Sequence, residues 1–122
     1  MNDQQRVLVV DDDDDIRTLV CLVLESEGYQ AVPARDGLDA LDLLKRSAPP
    51  TLILLDLMMP RMDGEALVAA LRGMPAMSGI PVVIMSGHNN ARQKTHALAV
   101  SGCLVKPVDL DVLVSTVYQH TH

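Results

Sequence analysis

Four short apolar runs constrain the fold of this chain more than any other feature. They are RVLVV (6–10), TLILLD (51–56), PVVIM (81–85) and CLVK (103–106). Because they are short and do not alternate with polar residues, each is predicted to be a strand buried on both faces, as in a parallel sheet between helices. YQAVPA (29–34) is a weaker strand, and since Pro33 cannot donate a ladder hydrogen bond, this strand is predicted to lie at a sheet edge.

Helical patterns separate these runs. The first has an apolar stripe of Ile16, Leu19, Val20, Val23 and Leu24, and the second, over 37–47, places Leu38, Leu41 and Leu44 on one face. Two more patterns cover 64–72 and 110–117, and the segment 90–100 has the poorest apolar face. Five alternating βα units predict an α/β fold, a doubly wound five-stranded parallel sheet in one domain over 1–122, with its core at about 5–119.

Composition excludes several classes of function. Hydrophobic residues make up 48% of the 122 residues but aromatic residues only 2%, so a surface that stacks nucleic-acid bases is excluded. The net charge of -6 argues against direct binding to nucleic acid or to an anionic membrane. No apolar run is long enough to span a membrane, and the polar start MNDQQR predicts no signal peptide. With Cys21 and Cys103 inside apolar runs, we expect two buried thiols and a cytoplasmic location.

Charged and polar residues follow the ends of four predicted strands. They are Asp11 and Asp12 after the first, Asp56 at the end of the third, Ser86 and Gly87 after the fourth, and Lys106 at the end of the fifth. The carboxyl ends of parallel strands meet at one edge of a sheet, so we expect these residues to converge. Converging carboxylates need a partner, and oxygen ligands suit Mg²⁺.

This combination of groups is suited to phosphorylation of an aspartate. A carboxylate can attack phosphorus to form an aspartyl phosphate. The anionic phosphoryl group needs a metal ion and a positive charge to approach an acidic cluster, and Lys106 supplies that charge. The Ser86 hydroxyl can donate a hydrogen bond to a phosphoryl oxygen.

The remaining aspartates of the DDDDD run (11–15) lie at the start of the first helix. We expect Asp14 and Asp15 to cap the helix and to interact with its dipole. We expect Asp13 to add to the negative field of the site. The run is not an EF-hand loop, because Ile16 and Leu22 occupy the positions that require Gly and Glu.

Over essentially its whole length the chain resembles the receiver domain of two-component response regulators. The motifs that carry the resemblance are VLVVDD (7–12), LILLDLMMPRMDG (52–64), PVVIMSG (81–87) and GCLVKPV (102–108). The resemblance implies a flavodoxin-like (βα)5 fold with strand order 2-1-3-4-5. It also implies Mg²⁺ or Mn²⁺ as cofactor, and a phosphohistidine on a histidine kinase or histidine phosphotransfer protein as phosphodonor.

The resemblance also assigns roles to individual residues. It implies that Asp56 is the phosphoacceptor, that Asp12 binds the metal with Asp11 assisting, and that the Met58 backbone carbonyl is a further ligand. Ser86 takes the position of a switch hydroxyl, Lys106 pairs with the phosphoryl group, and the Lys106–Pro107 peptide is expected to be cis. Such a protein speeds its own phosphorylation and dephosphorylation without turning over an external substrate. Met58 and His88 are expected to modulate phosphate lifetime, with His88 lining the access route, and the small Gly87 is expected to leave an approach path for the phosphodonor.

Two positions depart from the family pattern. Cys103 stands where a switch aromatic is usual, and Val108 stands where Phe is common. The partner-binding surface formed by the fourth helix, fifth strand and fifth helix is therefore poor in aromatic residues.

Several alternatives stay open from the sequence. The chain could be a phosphorylation-independent interaction module (a pseudo-receiver), for which Cys103 is the main reason, or a phosphatase. It could stand alone, act with an effector domain or downstream protein, or be part of a larger regulator or hybrid kinase. Homodimerisation through the fourth-helix, fifth-strand and fifth-helix face is also open.

Overall fold

A computed structural model describes residues 5–59, 61–87 and 91–122. In this part of the chain strands and helices alternate from end to end. The strands are β1 (Arg6–Val10), β2 (Gln30–Ala34), β3 (Leu52–Asp56), β4 (Val82–Ser86) and β5 (Gly102–Val105). The helices are α1 (Asp14–Ser26), α2 (Gly37–Arg46), α3 (Gly64–Arg72), α4 (Ala91–Leu98) and α5 (Leu110–Thr121).

The five strands form one parallel sheet in the order β2-β1-β3-β4-β5. This confirms the predicted doubly wound, flavodoxin-like fold. Within the described ranges strand β2 pairs only with β1, so Pro33 lies in an edge strand as predicted. Every residue of β3 and β4 is buried, which explains why their sequences are continuously apolar.

The sheet separates two apolar clusters, and successive residues of a strand enter opposite clusters. Leu8 and Val10 of β1 pack in the cluster that is completed by α2 and α3. Val7 and Val9 pack in the cluster that is completed by α1 and α5. This two-sided burial fixes the register of the sheet, because a shift by one residue would exchange the two faces.

Three residues of the predicted apolar patterns are exposed instead, and one of them, Leu110 at the start of α5, is 38% exposed. Leu19 of α1 is 48% exposed and Leu38 of α2 is 45% exposed. The buried contacts of α2 come from Ala40 and Leu44, and those of α1 from Val20 and Leu24. Each helix therefore buries a narrower stripe than the sequence pattern predicts. None of the helices in the described ranges is long and apolar enough to cross a membrane.

Candidate functional site

The carboxyl end of β1 delivers the first two acidic residues. Asp11 follows β1 directly and is fully buried, whereas Asp12 is exposed. One oxygen of the Asp11 carboxylate accepts a hydrogen bond from the Asp13 amide at 2.9 Å. Arg17, one turn into α1, donates to the Asp11 carbonyl oxygen at 2.8 Å. This support from Arg17, which stabilises the turn between β1 and α1, was not predicted from the sequence.

Asp13, and not Asp14 or Asp15, caps helix α1. Its side chain accepts hydrogen bonds from the amides of Asp15 at 3.0 Å and Ile16 at 3.1 Å. Asp14 and Asp15 lie in the first turn, where negative charge interacts favourably with the helix dipole. The predicted capping by Asp14 and Asp15 is therefore wrong, whereas their place in the first turn agrees with the predicted interaction with the helix dipole. The repulsion among the five consecutive aspartates (11–15) is reduced because their side chains have different partners and because Asp13, Asp14 and Asp15 lie at the start of a helix.

Strand β3 ends at Asp56, whose side chain lies beside the β1 carboxylates. The residue is 5% exposed, and its Oδ1 accepts a hydrogen bond from the Met58 amide at 3.2 Å. Oxygen atoms of Asp11, Asp12 and Asp56 all lie within 4.8 Å of one another. The predicted convergence of the three carboxylates is present in the structure.

Lys106, which follows β5, reaches the same cluster from the other side. Its Nζ lies 3.0 Å from Asp11 Oδ2 and 3.4 Å from Asp56 Oδ2. Burial lowers the pKa of Lys106, but the hydrogen bonds and charges of Asp11 and Asp56 more than offset it, so that the pKa is raised overall. Lys106 therefore carries a positive charge that sits between two buried carboxylates.

Burial raises the pKa of Asp56 to about 6, and the nearby charge of Asp11 acts in the same direction. The Met58 amide and Lys106 lower the pKa of Asp56 but do not cancel the rise. Three carboxylates and one ammonium leave two net negative charges when all are ionised. An all-oxygen donor set with this charge can hold a hard divalent cation such as Mg²⁺ or Mn²⁺.

Strand β4 places Ser86 and Gly87 next to Lys106. Ser86 is buried, and its carbonyl oxygen accepts a hydrogen bond from the Lys106 amide at 2.8 Å. Gly87 is exposed, and a Cβ at this position would lie 3.9 Å from Lys106 Cβ. The Lys106–Pro107 peptide is cis. The structure thus brings the predicted serine and lysine to the same edge of the sheet.

The expected modulatory residues lie in different surroundings. The Met58 side chain is 65% exposed beside Asp56. Cys103, in β5, is partly buried and packs against the cluster that contains Ile84. The prediction for His88 concerns a residue outside the described ranges.

Sequence reasoning also missed an ion pair between Asp36 and Arg61. Asp36 lies before α2 and Arg61 lies in the loop that follows β3, and Arg61 Nη2 is 2.5 Å from Asp36 Oδ2. The two residues are 25 positions apart in the sequence. Nothing in the spacing of the sequence pairs them.

Comparison with known proteins gives a consistent result. A family model described as the response regulator receiver domain matches residues 7–118. The sensor histidine kinase RcsC of Salmonella typhimurium is 40% identical over 117 residues, which are 94% of this chain and 12% of that protein. An uncharacterized 14.6 kDa protein in the sodA1 3' region of Leptolyngbya boryana is 35% identical, over 96% of this chain and 90% of that protein.

The fold comparison agrees with the sequence comparison. The structure of the chemotaxis response regulator CheY4 of Vibrio cholerae matches with a TM-score of 0.88 and 29% identity. The match covers 96% of this chain and 98% of that one. The chain therefore corresponds to a whole small regulator in one case and to 12% of a sensor kinase in another.

Proposed function

The chain belongs to the response regulator receiver domain family of two-component signalling, and on that premise we propose that it accepts a phosphoryl group on Asp56. The observation that carries this proposal is the position of Lys106 Nζ, between Asp11 and Asp56 at 3.0 and 3.4 Å. A buried cluster of carboxylates with one ammonium has no role in the core. It is the arrangement that an incoming anionic phosphoryl group requires.

In the proposed reaction an Asp56 carboxylate oxygen attacks the phosphorus atom of a phosphohistidine. An O–P bond forms while the P–N bond to the donor histidine breaks, and the imidazole leaves with the bonding electron pair. Lys106 then exchanges its contact with Asp56 for the new phosphoryl oxygens and keeps its hydrogen bond to Asp11. The Ser86 hydroxyl donates to another of these oxygens.

A divalent cation would be held by Asp11, Asp12, Asp56 and the Met58 carbonyl. When bound, Mg²⁺ would neutralise the two excess negative charges and so allow the phosphoryl group to approach. The burial of Asp11 and Asp56 strengthens each of these electrostatic interactions, since the local dielectric is lower than that of water.

The partners follow from the same chemistry. We propose a histidine kinase or a histidine phosphotransfer protein as donor, and an effector domain or downstream protein as recipient of the signal. The two free cysteines, Cys21 and Cys103, fit a reducing, cytoplasmic compartment. We infer that the phosphorylated form changes the surface around residues 87–108, which includes α4 and β5.

The test is phosphorylation by acetyl phosphate, followed by intact-protein mass spectrometry. With Mg²⁺ the wild-type protein should gain the mass of one phosphoryl group, and with EDTA it should not. Asp56→Asn should gain nothing, whereas Asp42→Asn, which changes an exposed aspartate of α2, should behave as wild type. Equal labelling of wild type and Asp56→Asn would refute the proposed function.

Cys103 favours a second candidate function, that of a phosphorylation-independent interaction module. At this position of β5 a thiol packs against the core, so no aromatic ring is present to turn inward when the phosphoryl group arrives. The two functions differ in the amide NMR spectrum after phosphorylation. Shift changes confined to the neighbours of Asp56 would favour the constitutive module, and changes extending through β5 would favour the switch.

A further inference from the structure

Arg61 has an unusual backbone conformation in the loop between β3 and α3. Its φ is +61°, in the left-handed region that residues other than glycine seldom adopt. Arginine has no local side-chain hydrogen bond that would favour this region, as asparagine has. Such a conformation persists only where the surrounding contacts determine it.

One contact that holds Arg61 is its ion pair with Asp36. Arg61 Nε donates to Asp36 Oδ2 at 2.6 Å, and Nη2 lies 2.5 Å from the same oxygen. The other oxygen, Oδ1, accepts a hydrogen bond from the Asp39 amide at 2.9 Å in the first turn of α2. The Asp36 side chain is 5% exposed. A buried carboxylate with both oxygens engaged leaves its partner little freedom to move.

A backbone contact next to the ion pair joins the same two segments. The Gly37 amide donates to the Met62 carbonyl oxygen at 3.0 Å. A Cβ at Gly37 would lie only 2.5 Å from that oxygen, so only glycine permits this approach. The start of α2 therefore holds the end of the β3–α3 loop by a side-chain contact and a backbone contact.

The beginning of the same loop is held at the candidate site. The Met58 amide donates to Asp56 Oδ1 at 3.2 Å, and the Leu57 carbonyl oxygen accepts from the Gly64 amide at 3.2 Å. Only a few residues separate Met58 from Arg61. The Asp36–Arg61 ion pair consequently restricts the position of the Met58 backbone. It also restricts the Asp56 side chain, which is hydrogen-bonded to the Met58 amide.

We propose that the Asp36–Arg61 pair is a positioning device for the site: it sets the Met58 backbone and the Asp56 carboxylate for divalent-cation binding and phosphoryl transfer. Neither residue touches the phosphoryl group. The phosphoryl-transfer part of this inference rests on the proposed function. The cation-binding part can be measured independently of phosphorylation.

The experiment measures the Mg²⁺ dissociation constant by amide NMR titration and the acetyl phosphate labelling rate at saturating Mg²⁺. The variants are Arg61→Gly, Asp36→Asn and Arg61→Lys. Glycine accepts the left-handed backbone without strain, and asparagine can still accept from the Asp39 amide, so both variants should fold. Substituting residues that orient metal ligands typically weakens metal binding by about 10-fold or more. We therefore expect Arg61→Gly and Asp36→Asn to weaken Mg²⁺ binding by about 10-fold.

Two controls separate positioning from general stability. Arg46→Ala breaks an exposed ion pair of α2, with Asp42 at 2.9 Å, and should leave the Mg²⁺ dissociation constant unchanged. Arg61→Lys keeps the charge but loses the planar two-nitrogen contact, so it should retain only part of the wild-type Mg²⁺ affinity. Combining Asp36→Asn with Arg61→Gly should cost little more than either change alone, because both remove the same contact.

The inference is overturned if folded Arg61→Gly and Asp36→Asn bind Mg²⁺ with wild-type affinity and are labelled at the wild-type rate. It is also overturned if their losses are additive. If wild type itself accepts no phosphoryl group, the proposed function fails, while the Mg²⁺ titrations of the same variants still decide whether the pair positions the site.

Discussion

Replacing Asp56 by asparagine should stabilise the fold in the absence of a divalent ion. The Asp56 carboxylate is buried, and its pKa in the folded protein is raised to about 6 from an ordinary value of 3.8. Between these two pH values the folded protein holds a proton that the unfolded chain has lost, so stability falls as pH rises through this window. At about 1.4 kcal/mol per pH unit, ionisation of Asp56 costs the folded state about 3 kcal/mol above pH 6.

Asp56→Asn removes the charge with almost no change of shape. The asparagine oxygen can still accept from the Met58 amide, and Lys106 keeps its hydrogen bond to Asp11. In EDTA at about pH 7.5 we expect the free energy of unfolding to rise by up to about 3 kcal/mol. At about pH 5, where the wild-type carboxyl is largely protonated, the gain should fall to roughly half of that value.

The assay is urea unfolding followed by far-UV circular dichroism, since the chain has no tryptophan. Asp42→Asn, which changes an exposed carboxylate, should alter stability by no more than about 0.5 kcal/mol. Adding Mg²⁺ should narrow the gap between wild type and Asp56→Asn, because the ion stabilises the form that binds it more tightly. If Asp56→Asn is less stable than wild type at the higher pH, or if its gain in stability does not change with pH, the buried Asp56 carboxylate does not destabilise the fold.

Three further predictions concern single residues of the site. Lys106→Met should raise Mg²⁺ affinity in a calorimetric titration, because it removes a competing positive charge, and should lower the yield of acetyl phosphate labelling. A variant that loses both Mg²⁺ binding and labelling would contradict the role assigned to Lys106. Gly64→Ala should destabilise the fold by about 1–3 kcal/mol in urea unfolding, because its Cβ would lie 2.8 Å from the Asp56 carbonyl oxygen and the Leu57 Cα. An unchanged unfolding midpoint would contradict this and show that the loop can move to accommodate the methyl group. His88→Ala should change the dephosphorylation rate, followed by mass spectrometry over time, and an unchanged rate would remove His88 from the access route.

The sheet and the convergence of the acidic residues could be predicted because both depend on periodicity. A continuously apolar strand such as β3 must be covered on both faces, and this requires helices on both sides of a parallel sheet. Once the strands are parallel, Asp11 and Asp56 must lie at the same edge. Pro33 at the edge strand follows from its missing amide hydrogen.

The remaining features depend on backbone conformations that periodicity does not encode. The cap of α1 falls on Asp13 because the chain leaves the extended conformation there, and five identical residues in a row give no sign of that position. The pairing of Asp36 with Arg61 requires a left-handed arginine in a loop, which no residue preference indicates. Leu19 is exposed because α1 buries Val20 and Leu24 instead.

The most direct test of the account is an amide NMR comparison with and without beryllium fluoride, a phosphoryl mimic, in the presence of Mg²⁺. We predict large shift changes at Asp12, Met58, Gly87 and Lys106, which belong to different strand ends, and no such changes in Asp56→Asn. Changes confined to one of these segments, or identical changes in wild type and Asp56→Asn, would contradict the claim that these strand ends form one site.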